Sequence, residues 1–99
     1  MFCCNRLQTS TADPGHAGFG VLVSRAPEYF IFYLQFRAVP SSDEATVRQA
    51  RIEVPVKIAA AVVIAYCPWC GRRLHDLAKR APGGFAELAR RHEPFLVDP

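Results

Sequence analysis

Four cysteines are the residues of this chain best suited to chemistry, and they fall into two pairs. Cys3 and Cys4 are adjacent, while Cys67 and Cys70 enclose Pro68 and Trp69 and are followed by Gly71. Two thiolates three positions apart in a tight turn can converge on one tetrahedral ion, at about 2.3 Å from sulfur to zinc. Pro68 fixes one dihedral of such a turn, and Gly71 supplies the conformation in which the chain leaves it. Backbone N–H groups in the turn point back at the sulfurs and offset their charge. A shared ion would also tie positions 3–4 to positions 67–70. Closing so long a loop constrains the unfolded chain strongly, and metal affinity becomes folding energy. The expectation is a structural zinc ion held by Cys3, Cys4, Cys67 and Cys70.

The adjacent pair sets a condition. In a regular strand successive side chains point to opposite faces, so both sulfurs reach one ion only if Cys3 and Cys4 sit in a turn. Otherwise one of them, Cys4 first, binds, and His16, His75 or His92 completes the set. A rival chemistry uses the same residues. A strand, then Cys67-Pro68-Trp69-Cys70, then a helix resembles the active-site motif of the glutaredoxins. There a thiolate of lowered pKa at a helix N-terminus would exchange disulfides. Only 29 residues follow Cys70, too few for the rest of a thioredoxin-like fold. Other enzyme signatures are missing: there is no His-Glu-x-x-His, no Gly-x-Ser-x-Gly, no glycine-rich phosphate loop and no distinguished carboxylate pair. The chain therefore reads as a non-enzyme with no catalytic residues, and the oxidoreductase is the alternative.

The elements that must position the cysteines follow from periodicity. Residues 17–24 alternate, with Phe19, Val21 and Val23 on one face, and read as a strand. Residues 28–39 form the strongest strand: Phe30, Phe32, Leu34 and Phe36 share a face expected in the core. Its opposite face grades from Tyr29 and Ile31 to Gln35 and Arg37, as suits a central strand. After a break at 40–49, residues 50–58 alternate strictly, with Ile52, Val54 and Val56 expected inside and Pro55 marking an edge or a bulge. Residues 61–66 make a short apolar strand running into Cys67. A knuckle turn then occupies 67–71. Beyond it the period becomes helical, with Leu74, Leu77, Ala78 and Ala81 on one face. Pro82-Gly83-Gly84 interrupts, and Phe85, Leu88 and Ala89 begin a second short helix. The expected architecture is α+β, with about four antiparallel strands and two short C-terminal helices in one domain spanning 1–99.

Composition bounds the rest. In 99 residues, 51% are apolar and 21% charged, which suits a globular chain with one small core and little to spare. The longest apolar run, Ile58 to Cys67, is about half a membrane span. The opening Met-Phe-Cys-Cys-Asn-Arg has no secretory pattern, so a soluble cytoplasmic protein is expected, with no membrane partner. The net charge of +3 falls entirely in the second half. Arg72, Arg73, Lys79, Arg80, Arg90 and Arg91 crowd into 71–92, interrupted only by Asp76 and Glu87. Nucleic-acid binding through this segment is an alternative to a protein partner. The favoured reading is a solvated helix surface.

With these residues in view, the chain resembles a group of small bacterial zinc-ribbon-like proteins of unknown function. Their hallmark is Phe-Cys-Cys near the N-terminus and Tyr-Cys-Pro-Trp-Cys-Gly-x-x-Leu near the C-terminus. Phe2-Cys3-Cys4 and Tyr66-Cys67-Pro68-Trp69-Cys70-Gly71 with Leu74 carry the likeness, and His75 stands where the pattern has proline. The resemblance implies metal binding in an interaction module and brings no activity with it.

Overall fold

The computed structural model describes residues 1–49 and 59–97. Helix α1 (Asn5–Ala12) precedes strands β1 (Gly18–Arg25) and β2 (Phe30–Arg37). A 3-10 turn at Ser41–Asp43 leads into α2 (Glu44–Gln49), followed by β3 (Ala59–Ile64), α3 (Leu74–Arg80), α4 (Pro82–His92) and a 3-10 turn at Glu93–Phe95. The strands form an antiparallel sheet in the order β1-β2-β3, so the fold is α+β with the aromatic strand at the centre. The described residues hold three strands where about four were expected, and the remaining candidate, 50–58, lies outside them. The three observed strands start and end within two residues of the expected bounds; β3 closes at Ile64, and Ala65 and Tyr66 link it to the cysteine.

Directly opposed residues of a sheet share a face. Val21 opposes Leu34 and Val23 opposes Phe32, while Ile64 and Val62 oppose Phe32 and Leu34 from the other side. Helices α1, α3 and α4 cover this face with Leu7, Leu74, Leu77, Ala78, Phe85, Leu88 and Ala89. Phe85 is fully buried, with its ring centroid 6.0, 6.3 and 5.6 Å from those of Phe2, Phe30 and Phe32. Helix α4 begins at Pro82, three residues earlier than expected. Proline at a helix start loses no hydrogen bond, and the Phe85 N–H already donates to the Ala81 carbonyl at 3.1 Å.

The helical layer covers only part of the sheet, which corrects the expected core. Phe32 is buried, Phe30 and Leu34 are half-buried, and Phe36 is 37% exposed. Phe19 is 64% exposed and packs on Phe36, with centroids 5.1 Å apart. The helices meet the sheet around Val21, Val23 and Phe32 and leave the Phe19–Phe36 end uncovered. Ile52, Val54 and Val56, also expected inside, lie outside the described residues.

The opposite face is closed by the C-terminal segment around Phe95 and Val97 together with Glu44 at the start of α2. Leu22, Gln35 and Arg37 are buried there. The Gln35 amide donates to the Phe95 carbonyl at 2.9 Å and accepts from the Val97 N–H at 3.1 Å. Arg37 donates to the same carbonyl at 2.7 Å and to Glu44 at 3.2 Å. Most buried polar groups are bonded in this way; the Arg37 Nε is the buried side-chain atom without a partner among the described residues.

Two further contacts hold α1 and α4 against β1. The fully buried His92 accepts the Val23 N–H at Nδ1 (3.0 Å), so its Nε2–H donates to the Thr11 carbonyl (2.9 Å). At Gly20, a Cβ would stand 3.1 Å from the Ser10 carbonyl oxygen, so any larger residue would push α1 outward by a few tenths of an ångström. Among the described residues no helix is long and apolar enough to cross a membrane.

Candidate metal centre

The chain reaches the centre twice. On the N-terminal side, Cys3 and Cys4 lie in a bend, and Cys4 is the extended residue that opens α1, with φ −158° and ψ 164°. The Gln8 N–H donates to the Cys4 carbonyl at 3.3 Å, which starts the helix directly after the cysteine. This bend meets the condition for an adjacent pair, because the alternation of a strand does not apply to it. Leu7 anchors the helix in the core and Phe2 packs its ring on Phe85. The two cysteines are therefore held between the half-buried Phe2 and the buried Leu7.

On the C-terminal side, β3 ends and the chain folds into a knuckle. The Cys67 N–H donates to the Arg72 carbonyl at 2.8 Å, and the Gly71 N–H donates to the Cys67 carbonyl at 3.0 Å. Tyr66 and Arg73 pair across the base of the turn, and the Leu74 N–H returns to the Ala65 carbonyl at 3.0 Å. Gly71 has φ +77°, a left-handed conformation that other residues adopt only with strain. Helix α3 starts at Leu74, three residues beyond Gly71, so no helix begins at either cysteine.

The four sulfurs all lie within 4.8 Å of one another. Cys4 Sγ is 3.7 Å from Cys67 Sγ, and Cys70 Sγ is 3.2 Å from Cys3 Sγ. These separations are far beyond the S–S bond of about 2.05 Å, and all four thiols are free. A tetrahedron with metal–sulfur bonds of about 2.3 Å has edges of roughly 3.8 Å, close to the observed spacing. The donor set thus fits one tetrahedral metal ion. His16, His75 and His92 are not part of the cluster, and both ring nitrogens of His92 are taken by backbone partners.

The electrostatics divide the cluster. Burial works against ionising Cys67, but the backbone N–H groups of Cys70 and Trp69, with the neighbouring thiols of Cys70 and Cys3, outweigh it and bring its pKa down to about 7. Burial pushes Cys3 upward, and hydrogen bonding and charge from Cys70 and Cys67 push the same way. Thiols packed this closely cannot all ionise unless a cation shares their charge. Exposure is unequal too: Cys67 is 2% exposed, Cys3 and Cys4 are intermediate, and Cys70 is open to solvent.

The six basic residues of 71–92 are all exposed, as expected, and Arg90 pairs with Glu87 on the surface of α4. Sequence reasoning passed over the exposed aromatic side chains around the knuckle. Tyr66 is 59% and Trp69 39% exposed, and Phe19 joins Trp69 from β1 across a shared groove. No protein-family model, curated protein or solved structure matches the chain.

Proposed function

We propose that the chain is a small zinc-ribbon-like interaction module, built around one structural zinc ion bound by Cys3, Cys4, Cys67 and Cys70. The observation that carries this reading is the convergence of four free thiols from two distant segments to within 4.8 Å. Zinc suits four sulfur donors in tetrahedral array. Four thiolates also close its coordination shell, leaving no position for water or substrate, so the role is structural and the chain is not a hydrolase. When bound, the ion would offset part of the charge of the four thiolates and would tie the N-terminal bend to the knuckle. A reducing, cytoplasmic setting keeps the thiols available. The likeness of Phe2-Cys3-Cys4 and Tyr66-Cys67-Pro68-Trp69-Cys70-Gly71 to the zinc-ribbon-like group supports the same reading.

Thiol–disulfide exchange is less well supported. An attacking thiolate must be both ionised and reachable. Cys67, whose pKa is lowered, is the buried member of its pair, and the helix that follows the motif, α3, starts only at Leu74. The module's partner is a macromolecule that meets its exposed surface.

The test is substitution combined with chelation. Cys67→Ser and Cys3→Ser should each abolish stoichiometric metal binding and lower the melting temperature by more than about 10 °C, equivalent to a few kcal/mol in a domain of this size. A strong chelator should bring the wild type to the same melting temperature. If the variants melt with the untreated wild type, the cysteines are not a structural metal site.

A further inference from the structure

Beside the knuckle lies a groove of about 380 Å³, lined by Asn5, Arg6, Thr9, Ser10, His16, Phe19 and Trp69. Its size falls in the range of small-ligand sites, roughly 300–1,000 Å³. Three segments build it: the exposed side of α1, the start of β1 and the tip of the cysteine turn. Two of its side chains are large exposed aromatics, Phe19 at 64% and Trp69 at 39%. The Phe19 ring rests on Phe36, with centroids 5.1 Å apart, so this aromatic surface continues along the sheet. Single exposed apolar residues are ordinary, but clustered aromatics at a polar groove mark a contact surface.

The polar lining indicates the contact. Arg6 is cationic, His16, Asn5, Thr9 and Ser10 offer hydrogen-bonding groups, and no carboxylate is among the lining residues. Arg6, exposed on α1, supplies the positive charge of the groove. Flat aromatic faces flanked by cations and uncharged polar groups suit a planar base carried on an anionic backbone. In sequence Arg6, Phe19 and Trp69 are far apart, and the fold brings them to one groove. The basic residues of α3 and α4 have no such aromatic partner in this groove.

We propose that this groove binds single-stranded nucleic acid, with a base stacked on Trp69 and Phe19 and the phosphate backbone running past Arg6. The proposal names the partner class for the interaction module and rests on that reading, because the cysteine turn holds Trp69 in place.

Trp69 is the sole tryptophan, so its fluorescence reports on this groove alone. The full-length, metal-loaded protein is titrated with (U)8 and (dT)8, following tryptophan emission and the anisotropy of end-labelled oligonucleotide at two salt concentrations. Saturable quenching that weakens with salt is expected. A difference between the two oligomers assigns the site to RNA or DNA, and equal affinity assigns it to single strands of either kind. Trp69→Ala and Phe19→Ala should each weaken anisotropy-detected binding about tenfold or more. Arg6→Ala should reduce the salt slope by about one. Circular dichroism and metal content of each variant, matched to wild type, establish that the fold is kept. Absence of saturable binding to either oligomer at low salt would overturn the proposal. So would binding that survives both aromatic substitutions, or quenching by an octaglutamate peptide but by neither oligonucleotide. Metal content separates the two readings: a protein with one zinc and no oligonucleotide binding refutes only this proposal, and a metal-free folded protein refutes the zinc reading.

Discussion

Truncating Phe85 probes how the core and the cysteine centre are joined. The side chain is fully buried and its ring meets Phe2, Phe30 and Phe32. Phe2 immediately precedes Cys3, so Phe85 links α4 and the sheet to the N-terminal bend. Replacing a buried phenylalanine by alanine costs about 3–5 kcal/mol, the larger figure applying where the surroundings cannot collapse into the space. A domain of this length has a total stability of about 5–15 kcal/mol, so Phe85→Ala should consume a large fraction of it. Phe85→Leu keeps most of the apolar volume and removes the ring contacts, which are worth about 0.5–1.5 kcal/mol per pair. It should fall between wild type and Phe85→Ala. Urea unfolding of the metal-loaded proteins measures both. A double-mutant cycle with Phe2→Ala should give a coupling of about 0.5–1.5 kcal/mol, and Phe85→Ala should weaken metal affinity because binding and folding are linked. A Phe85→Ala protein that loses less than about 1 kcal/mol, with no coupling to Phe2, would refute this packing scheme.

Two other perturbations follow from particular contacts. His92 is held neutral, its pKa lowered chiefly by burial, and protonating Nδ1 would set two donors against each other at the Val23 N–H. The unfolded chain therefore takes up a proton first. The His92 contribution is complete above the ordinary pKa of about 6.5. It is lost as pH falls from there toward the depressed folded value, at no more than about 1.4 kcal/mol per pH unit. His92→Gln should remove that part of the slope between pH 7.5 and 5.5 in metal-saturated protein, and an unchanged slope would contradict it. Gly71→Ala must adopt φ near +77°, so it should cost about 1 kcal/mol or more and loosen metal binding in a competition assay, whereas Gly83→Ala, in open space on α4, should not disturb the metal.

The cysteine centre was legible in sequence because its geometry is local on each side. The two thiols of the Cys67–Cys70 turn are brought together by their spacing alone, whereas the conformation of Cys3-Cys4 and the start of α3 only at Leu74 needed the structure. The alternating strands and the 3.6-residue period after Leu74 were legible for the same reason. Helix α1 was not, because Asn5–Ala12 is polar and rich in serine and threonine, and only Leu7 and Thr11 are buried. Its helicity comes from packing on β1, which the sequence alone does not express. Phe36 read as core because period two assigns a face, yet how far a helical layer extends over that face is a tertiary property. His92 read as a surface residue or a spare ligand. Its place four residues after Leu88, on the buried side of α4, was the signal that it belongs inside.

The central claim is that four thiols hold one zinc ion, and its most direct test is the metal itself. Protein prepared without chelators is examined by native mass spectrometry with elemental analysis, and its sulfur coordination is read by X-ray absorption at the zinc edge. The account predicts one zinc per chain with four sulfur neighbours at about 2.3 Å and no thiol free to react until the metal is removed. A folded, metal-free protein whose four cysteines all react with a thiol reagent would contradict it, as would a zinc site with nitrogen or oxygen ligands in place of any of the four sulfurs.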